Sequence, residues 1–276
     1  MLPNKLSAIP VVLSITLSSV LSSGCSTATD APGSPESSPS PTGTVERLVP
    51  EIITVHPFDD TVFTQGLEVD GDQLLVGTGQ YGGSEIFRTT LDGQRSDVHQ
   101  LEDRFFGEGV THTGDHVWQL TWRAGTAFKR EAGTLEEIDR VSYEGEGWGL
   151  CSLGDTLIMS DGTDEIRHLD PDTFAETSRV EVTLAGQPVT GINELECVDG
   201  EVYANIFLDT DIIRFDPTTG EVTAVIDGSV LPNNALPDPD NVLNGIAHIP
   251  GTDRFYLSGK RWPDLYEVRF VGADQR

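Results

Sequence analysis

The 276-residue chain carries 45 Asp and Glu against 17 Lys and Arg, a formal net charge of −28. That balance excludes nucleic acid as a partner, because phosphate binding needs a surplus of Lys and Arg, and it excludes electrostatic docking on anionic lipid. With 37% hydrophobic residues, 29 Gly and 16 Pro, the composition suits one core made of many short strands and tight turns, not long helices or a polytopic membrane protein.

In chain order, residues 1–24 read as a secretory leader. One basic side chain, Lys5, precedes an apolar and hydroxylated run that ends in small residues. Leu21-Ser22-Ser23-Gly24-Cys25 has the form of a bacterial lipobox, with Ser22 where Leu is usual, so Cys25 is the expected lipidation site. An ordinary leader with an incidental Cys25 is the alternative. Residues 25–47 are rich in Ser, Thr, Pro, Gly and Ala with scattered acids. Such a segment buries too little apolar surface to offset its ordering entropy and is expected to be a flexible tether. The chain is thus expected to be exported, lipid-anchored on the outer side of the cell membrane or secreted, and to meet a membrane only through the lipid.

Residues 48–276 carry a repeat. A short run, a tight turn pairing Gly with an acidic residue, and an apolar strand occur as Gly66-Leu67-Glu68-Val69-Asp70-Gly71-Asp72 before Leu74, and as Gly109 to Asp115 before Val117. They recur as Gly149 to Asp155 before Leu157 and as Glu194 to Glu201 before Val202. A looser copy runs from Gly245 to His248 with Arg254 to Leu257. The turn glycines fall at 71, 114, 154, 200 and 251. Third strands follow at Glu85-Ile86-Phe87-Arg88, Glu165 to Leu169, Asp211 to Phe215 and Asp264 to Val268, two of them ending in Asp-Pro turns that Pro cannot extend.

Four short strands at a 40- to 50-residue period mark a β-propeller. The last copy ends near Val271 after three strands, and Glu51-Ile52-Ile53-Thr54-Val55 is a spare strand able to complete it. The expected architecture is all-β, a five-bladed β-propeller closed by an N-terminal strand, which hides sheet edges. A β-sandwich would leave five similar turns at this spacing unexplained.

Loops leading into the innermost strands line one mouth of a propeller, so chemistry is sought just before each copy. Those segments are Phe63-Thr64-Gln65-Gly66, Phe106-Gly107-Glu108-Gly109, Glu146-Gly147-Trp148-Gly149, Asn193-Glu194-Leu195-Glu196 and Asn244-Gly245. Glu108, beside Phe106 and near Trp122 and Trp148, is the candidate general acid and base, since partial desolvation raises its proton affinity. Gln65 and Asn193 offer amide donors to a developing oxyanion, and Lys260 a cation. Taken singly, each has an ordinary reading as packing, solvated charge or turn chemistry; their recurrence at equivalent places favours a site. His112 and His116 straddle the Gly114 turn and do not make a zinc pair, so no metal and no cofactor are expected. Cys151 and Cys197 each lie three residues before a turn glycine, in equivalent places on neighbouring units. Either a disulfide or two buried thiols fits them.

Phe63-Thr64-Gln65-Gly66-Leu67, Phe106-Gly107-Glu108-Gly109, Gln119-Leu120-Thr121-Trp122, Glu146-Gly147-Trp148-Gly149-Leu150, Ser160-Asp161-Gly162-Thr163, Asn193-Glu194-Leu195-Glu196, Asn241 to Ala247 and Gly259 to Tyr266 together closely resemble the glutaminyl-peptide cyclotransferases of the plant and bacterial type. The resemblance implies a five-bladed propeller that converts the N-terminal glutamine of peptides or proteins to pyroglutamate with release of ammonia, without zinc. It implies Glu108 as catalytic acid/base and Phe63, Gln65, Phe106, Trp122, Trp148, Asn193 and Lys260 as pocket residues. Phe207 stands where the family usually has Trp, keeping an aromatic wall without the indole N–H. A surface propeller that binds a peptide or sugar without turnover is the alternative, and retention of Glu108 speaks against it.

Overall fold

The computed structural model describes residues 44–275, so the leader, Cys25 and the tether as far as Gly43 lie outside the described residues. Apart from 3₁₀ turns at Gly228–Val230 and Ala273–Gln275, the regular structure there is all strand. β1 (Glu46–Pro57) is followed by β2–β5 (Thr64–Asp70, Gln73–Thr78, Glu85–Thr89, Arg95–Gln100), β6–β9 (Gly107–Thr113, His116–Thr121, Thr126–Glu131, Glu137–Ser142) and β10–β13 (Leu150–Leu153, Thr156–Met159, Glu165–Leu169, Glu176–Glu181). Each of these three sets is a four-stranded antiparallel sheet in chain order.

A small hairpin of β14 (Thr183–Leu184) and β15 (Gln187–Pro188) precedes β16–β19 (Ile192–Val198, Glu201–Ile206, Asp211–Phe215, Val222–Asp227) and β20–β22 (Leu243–His248, Arg254–Gly259, Asp264–Gly272). The last seven belong to one eight-stranded sheet completed by β1. β1 pairs antiparallel with β22 from Leu48 to Pro57 and parallel with β19 over Glu46 to Leu48. The N-terminal strand therefore supplies the outer edge that the three-stranded C-terminal run lacks. All five turn glycines adopt positive φ, from 59° at Gly154 to 91° at Gly200, where a side chain would be strained.

The first strands of the five runs lie side by side in a closed ring: β2 packs against β6 and β20, β6 against β10, and β16 against β10 and β20. Their approach is close enough that a Cβ on Gly149 would collide with the Asn193 carbonyl. Strands this close but not paired with one another in a ladder leave N–H groups facing the axis, and buried N–H groups need partners. Side chains meet that need. Glu194 accepts from the N–H groups of Leu67 (3.3 Å) and Ile246 (2.9 Å), Glu196 from His248 (2.8 Å) and Glu68 from His112 (3.1 Å). Burial raises the proton affinity of all three carboxyls. The Ser160 hydroxyl accepts from the Gly149 N–H (2.8 Å) and donates to the Asn193 carbonyl (2.6 Å), linking two first strands.

The apolar core lies between neighbouring sheets. Trp118, Leu120, Leu150, Leu157 and Met159 bind β6–β9 to β10–β13, while Leu67, Val76, Phe87, Ala247 and Leu265 bind β2–β5 to β20–β22. Each such buried side chain contributes about 1.5–3 kcal/mol relative to exposure. Cys151 on β10 and Cys197 on β16 are joined by a disulfide with Cα atoms 5.5 Å apart, resolving the two readings left open above. Peptide mapping without reductant is expected to recover both cysteines in one linked species, and replacing both by Ala to cost roughly 2–4 kcal/mol in denaturant unfolding. Recovery of two separate thiol peptides would contradict the bridge.

Candidate active site

At one end of the ring, a cavity of about 340 Å³ is lined by Phe63, Gln65, Phe106, Glu108, Trp122, Trp148, Asn193, Phe207 and Lys260, together with Gln80, Tyr81 and Asp240. All nine candidate side chains are thus brought together. A second cavity of about 220 Å³ shares no lining residue with it.

Two features of the chain put six of these nine groups here, while Phe63, Phe106 and Trp148 lie just before first strands. In four of the five first strands the pairing register slips, between Thr64 and Gly66, Gly107 and Val110, Ile192 and Leu195, and Leu243 and Ile246. Gln65, Glu108, Asn193 and Asn244 sit in those bulges, which re-aim a side chain that strict alternation would send elsewhere. The other source is the residue that follows a second strand: Trp122 after β7, Phe207 after β17 and Lys260 after β21. Backbone bonds then stitch the rim, from the Gly79 N–H to the Phe63 carbonyl (2.9 Å), from Trp122 to Phe106 (3.0 Å) and from Lys260 to Val242 (2.9 Å).

Glu108 is 3% exposed. Its Oε1 accepts from Gln65 Nε2 at 2.9 Å, and its Oε2 is buried without a hydrogen-bond partner among the described residues. Burial holds its proton affinity well above the usual carboxylate range, against the pull of the Lys260 ammonium and the Gln65 bond, and the Glu146 charge adds to the rise. Burial likewise lowers Lys260, against the pull of Glu108 and Asp240. The Lys260 Nζ lies 5.1 Å from the ring centres of both Phe63 and Phe207. Phe207 therefore faces the cation without an indole and meets Trp148 edge-on at 5.4 Å.

One N–H of the Gln65 amide is given to Glu108 and its carbonyl accepts from Asn244 Nδ2 (3.2 Å), so Gln65 orients the acid and keeps a second N–H. Asn244, expected at the cavity, is fully buried beneath it and also bonds the Thr64 carbonyl. Sequence reasoning missed Gln80, Tyr81 and Asp240. Tyr81 is 56% exposed and packs edge-on against Phe106 at 5.5 Å. It follows β3 in the loop equivalent to those bearing Trp122 and Phe207, a signal that could have found it. Among the described residues no group of three or more His, Cys, Asp or Glu is placed to hold a metal ion.

The family profile described as glutamine cyclotransferase matches residues 19–270. The chain belongs to the glutamine cyclotransferase family. It is 33% identical over 232 residues to a protein of Arabidopsis thaliana named glutaminyl-peptide cyclotransferase, covering 82% of this chain and 72% of the relative. It is also similar to the crystal structure of glutaminyl cyclase from Myxococcus xanthus, with 38% identity and a TM-score of 0.80 over 84% of this chain and 100% of that one. The family read from the motifs is thus the family found, and the chain is an enzyme, a cyclotransferase, and not a binding module.

A buried acid of raised proton affinity leaves a mark on the cyclotransferase's stability. Unfolded, Glu108 ionises at about 4.3; folded, it keeps its proton to higher pH. The native state then binds more protons between the two values, so stability complete below the unfolded value is lost as pH rises through the folded one. Glu108→Gln removes that loss. Its melting temperature is expected to gain on the wild type progressively as pH rises from about 4.3; a gap independent of pH in thermal melts would contradict a proton-holding Glu108.

Proposed function

We propose that the chain is a glutaminyl-peptide cyclotransferase that converts the N-terminal glutamine of peptides or proteins to pyroglutamate with release of ammonia, by metal-independent general acid/base catalysis. The observation that carries this reading is Glu108 itself, a buried carboxyl with one oxygen oriented by Gln65 and the other without a partner, in an aromatic cavity facing Lys260. The α-amine nitrogen attacks the side-chain carboxamide carbon, and the proton it loses passes to the Glu108 carboxylate. Asn193 and Lys260 stabilise the negative charge that develops on the carboxamide oxygen. Glu108 returns the proton to the departing nitrogen, the carbon–nitrogen bond breaks, and lactam and ammonia remain. Phe63, Phe106, Trp122, Trp148 and Phe207 hold the glutamine folded back on itself, which favours an intramolecular attack.

The scaffold under this reading is a five-bladed propeller, the C-terminal blade completed by β1. The leader, the small residues before Cys25 and the Ser/Pro-rich stretch after it support export and lipid anchoring at Cys25 through a tether that ends before β1 begins at Glu46. Mass spectrometry of the mature protein would then find a lipidated Cys25 at its N-terminus, and an unmodified N-terminus elsewhere would remove the anchor.

Incubated with a peptide that begins with glutamine, the protein is expected to yield a product lighter by one ammonia. Glu108→Gln should fold and lose roughly 10²- to 10⁴-fold in kcat. Asn193→Ala and Lys260→Ala should also lower kcat, whereas Trp122→Phe and Trp148→Phe should act mainly on KM. Near wild-type turnover by Glu108→Gln would place the proton carrier elsewhere.

A further inference from the structure

We propose that Glu146 is the positioning residue of the aromatic cavity, a single carboxylate that sets Trp122 and Trp148 against each other and so fixes the width of the slot they form. The inference rests on the cyclotransferase reading for its kinetic consequence, but its geometry stands without it. Glu146 Oε2 accepts from Trp122 Nε1 at 2.7 Å and from Trp148 Nε1 at 3.0 Å. Its Oε1 accepts from Arg123 Nε at 2.8 Å, and the Arg123 guanidinium lies over the Trp122 ring at 3.7 Å.

The two tryptophans come from different sheets and belong to different halves of the wall. Trp122 continues an aromatic chain from Phe106, at 5.5 Å. Trp148 meets Phe207, which faces Lys260. Glu146 is the joint between those halves, and the backbone adds a second tie, from the Gly147 N–H to the Trp122 carbonyl at 2.9 Å. A side chain 35% exposed could have turned to water; instead three charge-assisted bonds hold it inward. Burial alone would raise its proton affinity, but the bonds from Trp148, Arg123 and Trp122 outweigh that, and the carboxyl stays ionised below its ordinary range. Its charge also reaches Glu108, whose other charged neighbours are Lys260 and, when ionised, Tyr143.

Two variants separate geometry from charge. Glu146→Gln keeps an oxygen for the indoles and loses the charge, while Glu146→Ala loses both. In the full chain, Glu146→Ala is expected to reduce kcat/KM on a glutamine-initiated peptide roughly 10- to 100-fold, more through KM than kcat. Glu146→Gln should hold KM within a few fold while the acid limb of its pH profile moves down. Nuclear magnetic resonance of the indole N–H groups without peptide reads the geometry directly. Two of the four Trp signals should move in Glu146→Ala and stay near their wild-type positions in Glu146→Gln. Unmoved indole signals in Glu146→Ala, or a KM raised equally by both variants, would overturn the proposal. A wild type that shows the indole pattern yet forms no lactam would instead count against the reaction assigned above.

Discussion

Everything in this molecule follows from crowding at the centre. Five first strands converge on one ring, β2, β6, β10, β16 and β20, each paired on its outer side with its own hairpin partner and facing the axis on the other. They approach closely enough to require glycine, as at Gly149, and their inward N–H groups are too buried to be left without partners. Glutamates and hydroxyls therefore occupy the axis as structural acceptors. Register slips in four of these strands place Gln65, Glu108 and Asn193 in one cavity, with Asn244 bonded to Gln65. The site is a consequence of how the ring is closed.

Within that ring, environment separates acids of one type into different tasks. Glu194 and Glu196 are spent on backbone N–H groups of neighbouring strands. Glu108 accepts one bond and keeps a second oxygen without a partner. Glu146, nearer the surface and taking bonds from two indoles and a guanidinium, is held ionised. Burial dominates at Glu108 and the sum of hydrogen bonds outweighs it at Glu146, so one carboxyl is held toward its neutral form and the other toward its ionised form.

Much of this was legible in the residues. The Gly-plus-acid turns at 71, 114, 154, 200 and 251 mark hairpins because only a few side chains tolerate positive φ, and the structure has a turn at each. The strand around Glu51 to Val55 could be matched to the incomplete final run because its length and apolar pattern fit an edge, and β1 does pair there. What the sequence hid is register. Alternation does not reveal that bulges aim Glu108 and Gln65 so that one Gln65 N–H reaches the Glu108 carboxyl. Tyr81 and Asp240 lie in loops whose course depends on neighbouring sheets. Glu146 was visible in the string Glu146-Gly147-Trp148, but its hold on Trp122 needs two sheets brought together.

On this proposal Glu108 keeps its proton to an unusually high pH in the folded protein and, once ionised, accepts and then returns the proton moved in cyclisation. Infrared difference titration of the protein against Glu108→Gln observes that proton through the carbonyl stretch of the neutral acid. A neutral-acid band absent from the variant is expected to persist well above the pH at which ordinary carboxyls ionise and to disappear with the same midpoint as the acid limb of kcat/KM. A Glu108 band that vanishes in the ordinary carboxylate range, or whose midpoint has no counterpart in the rate, would contradict it.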